Sequence, residues 1–125
     1  MSFAVNYMAG GRLDAPYFPT KTIPFIKGRR IGVYENIHHN EFIAPIDMEM
    51  IAFSIGASKY NDNDYWNLYI NNEKIADEIY MKDVPEGFNF SVVKQIPAKA
   101  IIRFEYINKS LEKKAIWLNY QFLKD

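Results

Sequence analysis

The sequence predicts an all-β domain, an antiparallel β-sandwich of jelly-roll-like form with an extended N-terminal arm. Three observations carry this. From Ile51 onward, bulky apolar residues recur at every second position, the period of a strand with one face in a core. Turn-forming residues break these runs at short, regular intervals, as in sandwiches and barrels. Aromatic residues make up 16% of the 125 residues, and such rings suit the half-buried pleated surface of a sheet. No segment keeps an apolar stripe at 3.6-residue spacing for three turns. A short helix at Asn108–Lys114 is the best helical candidate, and it has little to bury.

The elements follow in chain order. Residues 1–30 read as an arm or long loop, because Pro16, Pro19, Pro24, Gly10, Gly11 and Gly28 fall there among scattered aromatics. Proline has no amide donor and a fixed φ, which disfavours central strands and helix interiors alike. One edge strand around Ile23–Ile26 fits. The apolar Tyr17, Phe18, Phe25 and Ile26 must lie on something, the arm's own domain or a neighbouring subunit, and are the candidate interface residues. Residues 31–125 read as the sandwich domain. Ile31 and Val33 open it, and Ile51, Phe53 and Ile55 form one face of the next strand. Trp66, Leu68 and Ile70 do likewise, and Asn71–Asn72 supplies residues that tolerate φ > 0, as a tight hairpin requires. The return strand spans about Lys74–Met81. Pro85 to Gly87 is a turn, Phe88–Val93 a strand, and Ile102, Phe104 and Tyr106 share a face. The last strand sets Ile116, Leu118, Tyr120 and Phe122 against Trp117, Asn119 and Gln121.

Composition excludes several functions. The chain has no cysteine, so disulfides, thiolate zinc sites and a cysteine nucleophile are out. Its 15 basic and 15 acidic residues balance, which gives no general attraction to nucleic acid or an anionic membrane. The first residues lack a basic n-region and a sustained apolar core, so they do not read as a secretory signal. No apolar run reaches the roughly 18–20 residues of a membrane span. The chain therefore reads as made in the cytosol, without nucleic-acid or membrane partners.

Candidate chemistry is sparse. His38 and His39 are adjacent, so on a strand they point to opposite faces and cannot chelate one ion; they read as a solvated turn. Asn61 to Asp64 is the most oxygen-rich run. Asp62 and Asp64 are the candidate ligands for a structural calcium, although Trp66 and Asn67 break an EF-hand pattern; a plain loop is the alternative, and no cofactor is expected. Asp77/Glu78 and Asp83/Glu86 are paired carboxylates without a recognisable catalytic setting. No nucleophile elbow or phosphate-cradling glycine loop occurs, so an enzyme is not expected. Lys21, Lys27, Arg29 and Arg30 cluster near the end of the arm, for which a solvated turn is the simple account.

The sharpest functional candidate is Trp117. If Ile116, Leu118, Tyr120 and Phe122 face the core, Trp117 points outward in line with Asn119 and Gln121. A ring beside amide side chains suits glycan stacking and hydrogen bonding, and an exposed apolar ring also suits a protein interface. A second candidate platform is Tyr65, Trp66 and Tyr69 beside the acidic loop.

The hairpin and aromatic pattern of Gly56–Tyr60, Asp64–Asn71, Ile79–Gly87, Ile102–Asn108 and Trp117–Leu123 resembles small β-sandwich virion proteins of tailed phages and prophages of Gram-positive bacteria. The likeness spans about the C-terminal 75 residues, by the same strand-and-turn reading, and is one of architecture. It implies a capsid- or tail-associated part, a homo-oligomer contacting other virion proteins, assembled in the host cytoplasm and serving in assembly or host-surface attachment. The alternative expectation is a carbohydrate-binding module for a cell-wall or cell-surface polysaccharide.

Overall fold

The computed structural model describes residues 18–125. Eight strands follow in order: β1 (Ile23–Val33), β2 (Ile37–Ile43), β3 (Met48–Ala57), β4 (Tyr65–Ile70), β5 (Glu73–Tyr80), β6 (Glu86–Ile96), β7 (Ile101–Ile107) and β8 (Lys114–Lys124). They form two antiparallel four-stranded sheets, ordered β1-β8-β3-β6 and β2-β7-β4-β5. Each strand pairs with its mirror image in chain order: β1 with β8, β2 with β7, β3 with β6, β4 with β5. An antiparallel ribbon wound in this way is a jelly roll, the double Greek-key sandwich.

Period-two patterning builds the core. On β8 the buried Ile116, Leu118, Tyr120 and Phe122 alternate with outward Trp117, Asn119 and Gln121. On β7, Ile102, Phe104 and Tyr106 are buried from the opposite sheet. Phe53 joins the two layers, its ring 5.0 Å from that of Trp66 and 5.2 Å from that of Tyr120. Such tilted aromatic pairs add to the area they remove from water. Asn71 and Asn72 take φ of 50° and 67°, the left-handed pair that a two-residue hairpin needs.

Several expectations change. The boundary at residue 30 falls inside β1, which runs from Ile23 to Val33 along the full length of β8. Pro24 is accommodated because β1 is an edge strand, where a missing donor faces no neighbour. Residues 23–30, read as part of the arm, therefore belong to the sandwich. His38 and His39 lie in β2 rather than in a turn. That edge strand carries polar residues on both faces, which hides its alternation from a hydrophobicity reading. Asn108–Lys114 is a turn leading into β8, and no helix occurs among the described residues.

One polar cluster ties the sheets together. Asp64, wholly buried, accepts hydrogen bonds from Tyr106 Oη (2.9 Å) and the Ser110 amide (3.1 Å), and pairs with the buried Lys114 ammonium. Burial first, then the Asp64 charge, pushes the Tyr106 hydroxyl far above its ordinary value. The pair joins the β3–β4 loop to β8, across the two layers.

Candidate functional site

The outer face of the β1-β8-β3-β6 sheet is assembled by register. Cα partners across antiparallel strands share a face. Trp117 of β8 lies between Arg30 of β1 and Gly56 of β3. One step along, Asn119 lies between Gly28 and Ser54, and Ser54 in turn faces Gly87 of β6. Gln121 follows between Ile26 and Ala52. Gly32, opposite Ala115, falls on the same side. Every glycine among the described residues thus lies on this one face.

Two of these glycines, Gly56 and Gly87, leave room for close approach, whereas Asn119 Oδ1 lies 3.3 Å from where a Cβ on Gly28 would sit. A Cβ built on Gly87 would meet nothing within 4 Å, and one on Gly56 would make only ordinary contacts at 3.7 Å with Pro85 and Tyr60. Gly32 is different, since the Tyr34 hydroxyl lies 2.9 Å from where a Cβ would sit. Glycine in a strand weakens it and commonly marks a place where a ligand or another backbone comes near. Trp117 stands in this paving, 42% exposed. The Arg30 guanidinium lies 5.9 Å from its ring centre on the β1 side. On the β3 side an open groove of about 490 Å3 runs between Trp117, Asn119, Ser54, Tyr60, Pro85 and Glu86. Next to it, the Ser58 amide donates to the Ala115 carbonyl and the Ala115 amide to Ser58 Oγ, both at 2.9 Å, which ties the end of β3 to β8.

The same face is closed at its far end. Thr20 and Lys21 cross to β3, where the Thr20 amide and hydroxyl and the Lys21 amide donate to the buried Glu49 carboxylate at 2.7–3.2 Å. Gln95 Nε2 adds a bond of 3.0 Å. Burial opposes ionisation of Glu49, but the bonds from Gln95, Lys21 and Thr20 outweigh it and hold its pKa down to about 2.

The sequence candidates divide accordingly. Trp117 and Asn119 line one groove, and Gln121 continues their row. Trp66 is not part of a platform. It is 2% exposed and packs in the core with Leu68 and Ile70, because it shares their parity. Tyr65 and Tyr69 are half-buried on the outer face of the other sheet. Phe25 is half-buried against the core, stacked on Phe122 at 6.1 Å. Phe18 and Ile26 are 74% and 60% exposed. Tyr17 lies outside the described residues. Of the candidate calcium ligands, Asp64 is buried and pairs with Lys114, while Asp62 is exposed. The basic cluster is dispersed by strand alternation: Lys21 pairs with Asp125 at 2.9 Å, Arg29 donates to Asn40 Oδ1, and Arg30 faces Trp117.

Chemically, the groove offers ring stacking, amide and hydroxyl hydrogen bonding, and a single carboxylate. That carboxylate, Glu86, pairs with Lys82 at 3.2 Å. Ser110 and Lys114 are hydrogen-bonded at 2.9 Å, an arrangement that resembles a nucleophile beside a base. Lys114, however, spends its charge on Asp64 and is fully buried, which makes it an ion-pair partner. The sequence reading missed the glycine paving and the contribution of Tyr60 and Glu86. Gly28 and Gly32, four apart in one strand, were a legible signal; Tyr60 reaches the groove from a loop and Glu86 from the first position of β6, and neither carries one.

The profile described as a domain of unknown function, DUF8551, matches residues 21–125. The chain belongs to that family. The match starts at Lys21, so the DUF8551 unit includes the Lys21 anchor on Glu49 and the whole of β1. A search of curated proteins finds no match to this DUF8551 chain.

Proposed function

We propose that this DUF8551 protein is a non-enzymatic structural module of a phage or prophage particle, docking through the outer face of its β1-β8-β3-β6 sheet in assembly or host-surface attachment. The observation that carries the docking reading is the glycine paving around Trp117. Strand glycines cost stability, and here they clear a flat surface on which another backbone can lie against an exposed ring. The virion setting rests on the resemblance in hairpin spacing and aromatic placement, together with a fold that serves capsid and lectin domains alike. A homo-oligomer is the expected assembly, with other virion proteins as neighbours.

Light scattering tests it. The wild-type chain should run as an oligomer, and Trp117→Ala and Gly87→Arg should run as monomers with unchanged circular dichroism. Gly87 is the better probe, because an added side chain there meets open space. A wild-type chain that stays monomeric at every accessible concentration removes self-association.

A second reading, carbohydrate binding, is favoured by the same groove: an indole beside Asn119, Ser54 and Tyr60 joins a stacking surface to hydrogen-bonding groups. Glycan-array binding that Trp117→Ala abolishes would move the assignment there; a blank array on cell-wall and cell-surface polysaccharides would remove it.

A further inference from the structure

Asp64 and Lys114 meet with both side chains fully shielded from solvent, unlike every other ion pair among the described residues. Backbone bonds hold each partner in place. The Asp64 amide donates to the Asn61 carbonyl, and the Asp64 carbonyl accepts the Met81 amide, both at 3.0 Å. Lys114 opens β8, where it is paired with Val33 of β1. The fold thus brings an amine onto a carboxyl group, Lys114 Nζ against Asp64 Oδ2. Two groups positioned in this way react as if at very high concentration.

The surroundings suit acyl transfer. Burying two charges is costly even when they are paired. Moving one proton from Nζ to Oδ2 gives a neutral amine against a neutral carboxylic acid, the forms that burial favours. The Ser110 amide donates to Oδ1 at 3.1 Å, and negative charge gathers on that oxygen when an amine adds to the carboxyl carbon. Tyr106 Oη donates to Oδ2 at 2.9 Å, the oxygen placed to leave. Ser110 Oγ lies 2.9 Å from Nζ and 3.5 Å from Oδ2, so it can relay a proton between them.

We propose that Lys114 and Asp64 condense into an intramolecular isopeptide bond, which joins β8 of one sheet to the residue before β4 of the other. A bond forms between Nζ and Cγ, and the Cγ–Oδ2 bond breaks. Of the three ammonium protons, two leave with Oδ2 as water and one stays as the amide N–H. No oxidant, reductant or co-reactant enters the balance. The product carries no buried charge, and Oδ1 keeps the Ser110 amide as its donor. This linkage is separate from the Trp117 face and does not depend on the docking reading.

Intact mass spectrometry of the denatured full chain tests it. With allowance for the N-terminal methionine, the mass should fall about 18 Da, one water, below that of the sequence. Digestion and tandem spectrometry should then join the peptide carrying Asp64 to the one carrying Lys114. Lys114→Met should show its full sequence mass. It should also melt at a lower temperature, because a covalent tie that closes a long loop restricts the unfolded chain. If Lys114→Met does not fold, the wild-type chain decides alone, through its mass and its joined peptides. A wild-type chain at full mass overturns the proposal. So does a water loss that maps within one linear peptide, or one that persists in Lys114→Met.

Discussion

The two outer faces of this sandwich are built on opposite principles. On the β2-β7-β4-β5 sheet the outward side chains consume one another. Glu105 accepts hydrogen bonds from Asn67 Nδ2 and faces His39 Nε2, both at 2.8 Å. Asn67 Oδ1 accepts the Glu78 amide at 2.7 Å, at a residue whose φ is 55°. Arg103 lies over the Tyr69 ring at 4.3 Å. On the β1-β8-β3-β6 sheet, glycines stand where such side chains would be, and Trp117 is left half in water. A knitted face invests its contacts in the fold, whereas a bare one keeps them for something outside. Substitutions on the first should therefore register in stability and those on the second in association.

The largest effect is expected at the hub of the knitted face. Glu105 is held below the ordinary carboxylate range: burial opposes ionisation, but the bonds from His39 and Asn67 outweigh it. Glu105→Ala would leave the buried Asn67 amide without its acceptor, at a cost of about 2–3 kcal/mol. Chemical denaturation measures it, with light scattering unchanged from wild type. A loss of oligomer at full stability would reverse the roles assigned to the two faces.

Next in size is the buried anchor at the far end of the bare face. Glu49 has its pKa lowered from 4.5 to about 2, so its contribution is complete above the unfolded value and is lost as pH falls from about 4.5 through about 2. Glu49→Gln should reduce stability by about 1–2 kcal/mol at neutral pH. The gap between wild type and variant should shrink across that acid window and vanish below it. A gap constant from pH 6 to pH 2 would mean that the Thr20–Lys21 crossing does not depend on the carboxylate.

How far the sequence reveals these faces depends on how each is encoded. Core parity was legible: Phe53, Trp66, Phe104 and Tyr120 announce themselves by alternation with polar neighbours, and the same parity put Trp117 and Asn119 outside. β2 was not legible, because an edge strand bearing His38, His39, Asn40 and Glu41 meets water on much of its surface and has no apolar stripe. Most of β1 was hidden for a different reason. Prolines and glycines argue against a central strand, and only the pairing with β8 shows that this is an edge. The burial of Asp64 was not legible, since its partner Lys114 is distant in sequence and nothing local marks a buried pair. The knitted face was invisible as a unit, being formed by residues from four strands.

The smallest effect is the most discriminating. If Gly56 and Gly87 were required by the backbone, replacing them with alanine would destabilise the fold. Neither has a positive φ, a Cβ on Gly87 meets open space, and one on Gly56 makes ordinary contacts. Removing backbone freedom from the unfolded chain should then stabilise Gly56→Ala and Gly87→Ala by about 0.4–1 kcal/mol each. A partner backbone lying on the face would meet the new methyl groups, so association should weaken while melting temperature rises. Opposite signs in the two measurements are what separate a face cleared for contact from one that is merely loose. If both variants instead lost stability, the glycines would belong to the architecture of the sheet, and the argument for docking would fall back on Trp117 alone.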